Sequence, residues 1–321
     1  MKKIMSWLLM ASIVVSMSTM KVMADVISNP EEGVLWLEDF NTLTIDPGGY
    51  NGWRLSKSGS FTSDGEKAKL VGNVNAIRYF SYDYETIKTP EEYPYLQVNI
   101  TEISPNFVWK IQSANGLWST VYVSGGKKGI FTFDFKTFML LGHIPAWWKP
   151  EEKEKGIPAK GVDALGLQAC SSEGFIEFDW LRMVSQPKDG LLLKLIDNES
   201  EIGSEINVVN LGDKIRIEVM LSAPAKEVIV SFDKLIGWNR IEPFSFDGEM
   251  SKKLYDDGTN GDLIQGDNVW VAEFPVTKMG ENVKIGRGCI LITGKITGGK
   301  IEKTSTVIPY PVNTVETIIN L

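Results

Sequence analysis

An all-β fold of two β-sandwich domains follows from three observations in the sequence. Apolar and polar residues alternate with period two through most of the chain, as strands with one buried face require. Hardly any run places apolar residues at i, i+3, i+4 and i+7, the spacing of an amphipathic helix. Proline, charge and glycine meet at Gln186-Pro187-Lys188-Asp189-Gly190, the composition of a short linker. The chain is long enough to build a core on each side of it. We therefore expect residues 1–24 as a signal peptide, 25–186 as the first sandwich and 187–321 as the second.

The N-terminal element is justified by charge and length. Lys2 and Lys3 precede an uncharged apolar run from Ile4 to Met17, and Val22-Met23-Ala24 precedes the expected cut before Asp25, the layout of a secretory leader. The run is shorter than the roughly twenty apolar residues of a spanning helix, although an uncleaved anchor is the alternative. A secreted or periplasmic location follows. The sequence holds 33 Lys and Arg against 41 Asp and Glu, a formal charge of −8. Such an acidic chain is a poor partner for nucleic acid or anionic lipid. Cys170 and Cys289 are the only cysteines, so no disulfide framework is expected.

In the first domain, strands are expected over 95–100, 130–135 and 175–181. Residues 108–123 form the clearest hairpin, with Asn115-Gly116 as a type I′ turn. That register pairs Trp109 with Tyr122 and Ile111 with Thr120, and puts Trp118 on the same face. Trp109, Trp118 and Tyr122 would then make a platform on which a sugar ring could stack, or else part of the core. A one-residue slip would exchange the faces. His143-Ile144-Pro145-Ala146-Trp147-Trp148-Lys149-Pro150 reads as a loop, and Trp147 and Trp148 on it are either a recognition surface or a cap on the sandwich.

In the second domain, strands are expected over 214–219, 227–232 and 290–295. Between them, Tyr255 to Trp270 gathers Asp256, Asp257, Asn260, Asp262 and Asp267 with three glycines. Oxygen ligands on a tightly folded loop suit Ca²⁺, although Asp and Gly also build ordinary metal-free turns. The spacing is not that of an EF-hand.

This loop resembles the DDGxxGDxxxGDxxW/Y segment of immunoglobulin-like modules in secreted bacterial proteins. Likewise Leu37-Glu38-Asp39-Phe40, Tyr95-Leu96-Gln97-Val98-Asn99 and Phe175 to Val184 resemble the first, middle and last strands of galactose-binding-like jelly rolls, a fold shared by many carbohydrate-binding modules. That resemblance implies a structural Ca²⁺ near Asp39 and Asp179, unless both are surface acids.

Chemistry has few candidates. His143 is the only histidine, which leaves a Ser-His-Asp, Cys-His or multi-histidine zinc site without marked partners. Glu177 and Asp179 offer a carboxylate pair of the kind glycosidases use, but such pairs are common on solvated strands. The expectation is a non-catalytic protein that binds a polysaccharide or surface glycan, with calcium in its second domain. The alternatives are a structural protein with protein partners in an extracellular or envelope assembly, and a polysaccharide lyase or glycoside hydrolase.

Overall fold

The computed structural model describes residues 32–48, 52–56, 58–79, 92–114, 118–123, 126–134, 164–196, 212–236, 240–277 and 289–309. Among them every regular element is a strand, and no helix is long and apolar enough to cross a membrane. The expected leader, His143, Trp147 and Trp148 lie outside the described residues.

The first half of the chain supplies β1 (Val34–Glu38), β2 (Arg54–Ser56), β3 (Ser60–Ser63), β4 (Ala68–Val71), β5 (Asn75–Tyr79) and β6 (Tyr95–Ile103). These are followed by β7 (Trp109–Ala114), β8 (Trp118–Val123), β9 (Gly129–Asp134), β10 (Ala164–Ala169) and β11 (Phe175–Val184). The second half supplies β12 (Gly190–Ile196), β13 (Lys214–Met220), β14 (Glu227–Ile236), β15 (Arg240–Pro243) and β16 (Ser251–Leu254). It ends with β17 (Val269–Pro275), β18 (Cys289–Thr297) and β19 (Lys303–Pro309).

Alternation explains the strands. In β6, Leu96, Val98 and Ile100 are buried. In β11 the buried set changes parity, from Ile176 and Phe178 to Leu181 and Met183. An irregularity in its pairing with β6 absorbs the change, because an extra residue turns the rest of a strand over. A similar shift between Trp36 and Glu38 in β1 brings the Glu38 carboxylate to the Arg78 guanidinium and to Trp53 Nε1, the latter at 2.9 Å. This charged pair is mostly shielded from water, and its remaining bonds to Trp53 and the Phe40 amide satisfy the carboxylate.

Eleven strands form one long sheet in the order β15-β14-β18-β19-β9-β6-β11-β4-β3, with β1 on β11 and β16 on β14. Over its first-half strands lies a five-stranded sheet, β2-β5-β10-β7-β8, and over its second-half strands a three-stranded one, β12-β13-β17. Two apolar cores fill the two spaces, one around Trp109, Phe131, Phe133 and Phe178, the other around Phe232, Phe246, Phe274 and Ile292.

The halves join through a parallel pairing of β19 with β9, Thr304 to Ile130, Ser305 to Phe131 and Thr306 to Thr132. Buried Thr304 and Thr306 add side-chain bonds to the carbonyls of Ile130 and Thr132, at 3.1 and 2.8 Å. The face of β9 that lines the first core continues into the face of β19 bearing Val307, while Ile308 on the opposite face lines the second core. The linker is held as well. Gln97 donates from Nε2 to the Lys188 carbonyl and to Thr132 Oγ1, and Gly190 sits where a Cβ would stand 2.5 Å from the Pro187 carbonyl oxygen and 2.6 Å from Thr132 Oγ1.

Candidate functional site

The hairpin of β7 and β8 has a different register from the expected one. Trp109 pairs with Val123, Ile111 with Val121, Lys110 with Tyr122 and Ala114 with Trp118. Three residues, 115–117, separate the strands instead of the two of an Asn-Gly turn, and the extra residue moves each pairing by one. The physical result is a change of face. Trp109 is 1% exposed, edge-on to Phe131, Phe133 and Phe178 with ring centroids 5.7, 6.2 and 6.0 Å away. It belongs to the core and not to a platform. Trp118 and Tyr122 hold register positions opposite in alternation to Trp109; their side chains lie outside the described set.

On the outer face of the five-stranded sheet, register aligns Ser56, Asn75, Gln168, Lys110 and Tyr122 in one row across all five strands. The next row is Arg54, Ile77, Gly166, Gln112 and Thr120, with no side chain at its middle position. Gln168 is 6% exposed. Beside it the amide oxygen of Asn75 is buried with no hydrogen-bond donor, and so is that of Asn73, two residues earlier. A buried acceptor without a partner costs about 1–3 kcal/mol. The row therefore gathers unpaired acceptors beside a buried amide on a part of the face that is itself shielded from solvent, since Ala164, Gly166 and Gln168 of β10 are all buried.

Sequence reasoning missed Asn73, Asn75 and Gln168. The only trace is the alternation in Ala164-Leu165-Gly166-Leu167-Gln168-Ala169: Leu165 and Leu167 are buried in the core, so Gly166 and Gln168 must face away.

The acidic loop between β16 and β17 brings together three of the five oxygen donors expected there. Asp256, Asp262 and Asp267 each offer a carboxylate oxygen within 4.8 Å of the others. Asp256 accepts from the amides of Gly266 and Asn268, Asp262 from Gly258 and Ile264, and Asp267 from Val269. Burial, opposed by those amide bonds and joined by the charges of Asp267 and Asp262, holds the Asp256 carboxyl above its ordinary range. Asp257 and Asn260 are exposed and turn to Thr259, the first accepting and the second donating. Arg216 underpins the loop, donating to the Gly261 carbonyl and pairing with Glu273 at 2.7 Å. A Cβ on Gly261 would lie 2.3 Å from the Glu273 side chain, and its φ of +92° already favours glycine.

The remaining candidates are dispersed. Asp39 is exposed and accepts from the amide and side chain of Asn41. Asp179 accepts from Asn99 Nδ2 at 2.9 Å, and Glu177 from Thr101 Oγ1 at 2.8 Å. Neither Asp39 nor Asp179 enters a three-carboxylate group among the described residues.

No family model matches the chain, and no curated protein matches it. Among solved structures it is similar to an agarase, AgWH50C, with a TM-score of 0.31 and 12% identity over 48% of this chain and 25% of that one. It is also similar to CtCBM11, with a TM-score of 0.33 and 10% identity over 50% of this chain and 99% of that one. An exo-β-agarase gives 0.29 and 13% over 49% and 25%. The chain thus spans a quarter of the length of each agarase.

Proposed function

We propose that the protein is a secreted or periplasmic, non-catalytic carbohydrate-binding protein. Its first sandwich, a jelly roll of the galactose-binding type, holds a polysaccharide or surface glycan across the outer face of the five-stranded sheet. Its second sandwich is an immunoglobulin-like module stabilised by calcium at Asp256, Asp262 and Asp267.

The observation that carries this reading is the buried, donor-free amide oxygen of Asn75 in a polar row with the nearly fully buried Gln168. Once the residues that shield them move aside, sugar hydroxyls donate to such acceptors and accept from the Gln168 amide, while C–H faces settle on the neighbouring Ile77 position. Affinity electrophoresis of the full chain through gels containing β-glucan, xylan, mannan or agarose tests it. The expected result is retardation by at least one polymer, weakened about tenfold or more in Asn75→Ala and Gln168→Ala, since each removes a hydrogen-bonding group. No retardation by any polymer overturns the reading, as does retardation unchanged in both variants.

A further inference from the structure

The second sandwich carries a different kind of surface on the face of the long sheet that points away from its core. Register aligns Lys253, Ile229, Lys295 and Lys303 in one row across β16, β14, β18 and β19. All three lysines are exposed. Lys253 reaches Glu227 at 3.7 Å. Lys295 and Lys303 form no ion pair among the described residues, and they oppose each other directly across two antiparallel strands. Like charges so placed repel and destabilise the free protein. Lys300, also exposed, sits in the turn that joins the same two strands.

Two residues along each strand, the neighbouring row is Ser251, Ser231, Thr293 and Ser305. Every side chain in it is a short hydroxyl: Ser251 and Ser231 are exposed, Thr293 is half-buried, and Ser305, fully buried, donates to Thr293 at 3.4 Å. The next position on β14 is Asp233, which Lys127 of the first half pairs at 3.1 Å. The lysines therefore border a hydroxyl-lined strip that is open over β16, β14 and β18, about 10 Å across at the usual spacing between strands, and closes at the buried Ser305. On a chain with a formal charge of −8, Lys295 and Lys303 are two adjacent cations without ion pairs among the described residues, while the acids on the same face of β14, Glu227 and Asp233, are already paired by Lys253 and Lys127.

We infer that this face binds an extended anionic polysaccharide. Lys295 and Lys303 take its carboxylate or sulfate groups, and the exposed hydroxyls of Ser231 and Ser251 exchange hydrogen bonds with its own. The polymer relieves the repulsion between the two lysines, so binding is coupled to stability. Neither row holds an aromatic ring on which a nucleic-acid base could stack, and the single apolar member, Ile229, is half-buried and offers little to a bilayer. The site stands apart from the outer face of the five-stranded sheet and uses none of its residues.

The test is affinity electrophoresis of the full chain on polygalacturonate, dextran sulfate and neutral dextran, with single-stranded DNA and anionic phospholipid vesicles as competing probes. The parent should be retarded by an anionic polymer and pass freely through neutral dextran, and added salt should erase the retardation. The double variant Lys295→Glu/Lys303→Glu should bind about tenfold or more weakly, and Lys295→Arg/Lys303→Arg should bind like the parent, as charge complementarity requires. Asn75→Ala should leave this retardation unchanged, which separates it from glycan binding on the first sandwich. Lys303→Glu alone turns a repelling pair into an attracting one, so it should raise the melting temperature of the free protein while weakening polymer binding. No retardation by either anionic polymer, unchanged retardation in the double Glu variant, or tighter binding to DNA or vesicles would overturn the inference. A lower melting temperature for Lys303→Glu would do so too, by showing that the lysine pair is not under repulsion.

Discussion

Gln97 donates a hydrogen bond to the carbonyl oxygen of Lys188, 3.0 Å away, and so ties the middle of the first sandwich to the segment that leads into the second. The same side chain accepts from Arg182 Nε at 3.0 Å and donates to Thr132. Its amide is fully buried and uses both its donor and its acceptor, so the linker is a packed element and not a tether.

Gly190→Ala should therefore be strongly destabilising for a one-carbon change. The added methyl would meet the Pro187 carbonyl, Thr132 and Gln97 Nε2 at 2.5, 2.6 and 2.7 Å. Overpacking of this kind costs about 1–3 kcal/mol. Urea unfolding measures it, and a midpoint equal to the parent's would show that the linker can move aside.

Trp109→Ala and Asn75→Ala should separate stability from binding. The first leaves a large hole among Phe131, Phe133 and Phe178 and should cost about 3–5 kcal/mol. The second removes an acceptor that has no donor, so its stability should match or exceed the parent's while retention on the glycan is lost. A destabilised Asn75→Ala would mean that its amide bonds within the chain.

Asp267→Asn probes the acidic loop, because asparagine keeps the oxygen that accepts from Val269 and removes a charge that raises the Asp256 carboxyl. A raised carboxyl destabilises the fold once pH passes above its ordinary value, and the penalty is complete above the folded value. In chelator, the variant should melt higher than the parent at neutral pH and lose that advantage as pH falls through the aspartate range. In excess Ca²⁺ the order should reverse, since the parent gains the ion's binding energy. Identical melting of the parent with and without Ca²⁺ would remove the metal from the loop.

Glu218→Gln should show the opposite pH dependence. Burial raises this carboxyl, but bonds from Lys194 and Arg216 outweigh it and hold the group below its ordinary range. A lowered carboxyl stabilises above its unfolded value and ceases to as pH falls through the folded one. The variant should lose about 1–3 kcal/mol at neutral pH and approach the parent in acid, followed by denaturant titration at several pH values. A loss that is constant with pH would point to packing instead.

Much of the fold was legible because alternation is a local property. The runs at 95–100, 175–181 and 214–219 all lie within strands, and their buried residues follow from period two. The hairpin register was not legible. One residue more in the turn reverses both faces, and nothing in Gln112-Ser113-Ala114-Asn115-Gly116-Leu117-Trp118 distinguishes the two loop lengths. The acidic cluster was readable as a loop, yet which of its five oxygen donors converge depends on the turns at Gly258 and Gly261. The polar row of Asn75, Gln168 and Lys110 is assembled from three strands distant in sequence, so no local pattern announces it. The long sheet shared by both halves was equally hidden, because a parallel pairing between residues 130 and 304 leaves no mark on either segment.

That pairing also sets the order in which the molecule can be completed. Until residues 303–309 emerge, one edge of β9 is an open row of amides and carbonyls, the kind of edge that recruits stray chains. A contact this remote in sequence forms late and slowly. The nascent chain must therefore travel some 170 residues with that seam unsealed.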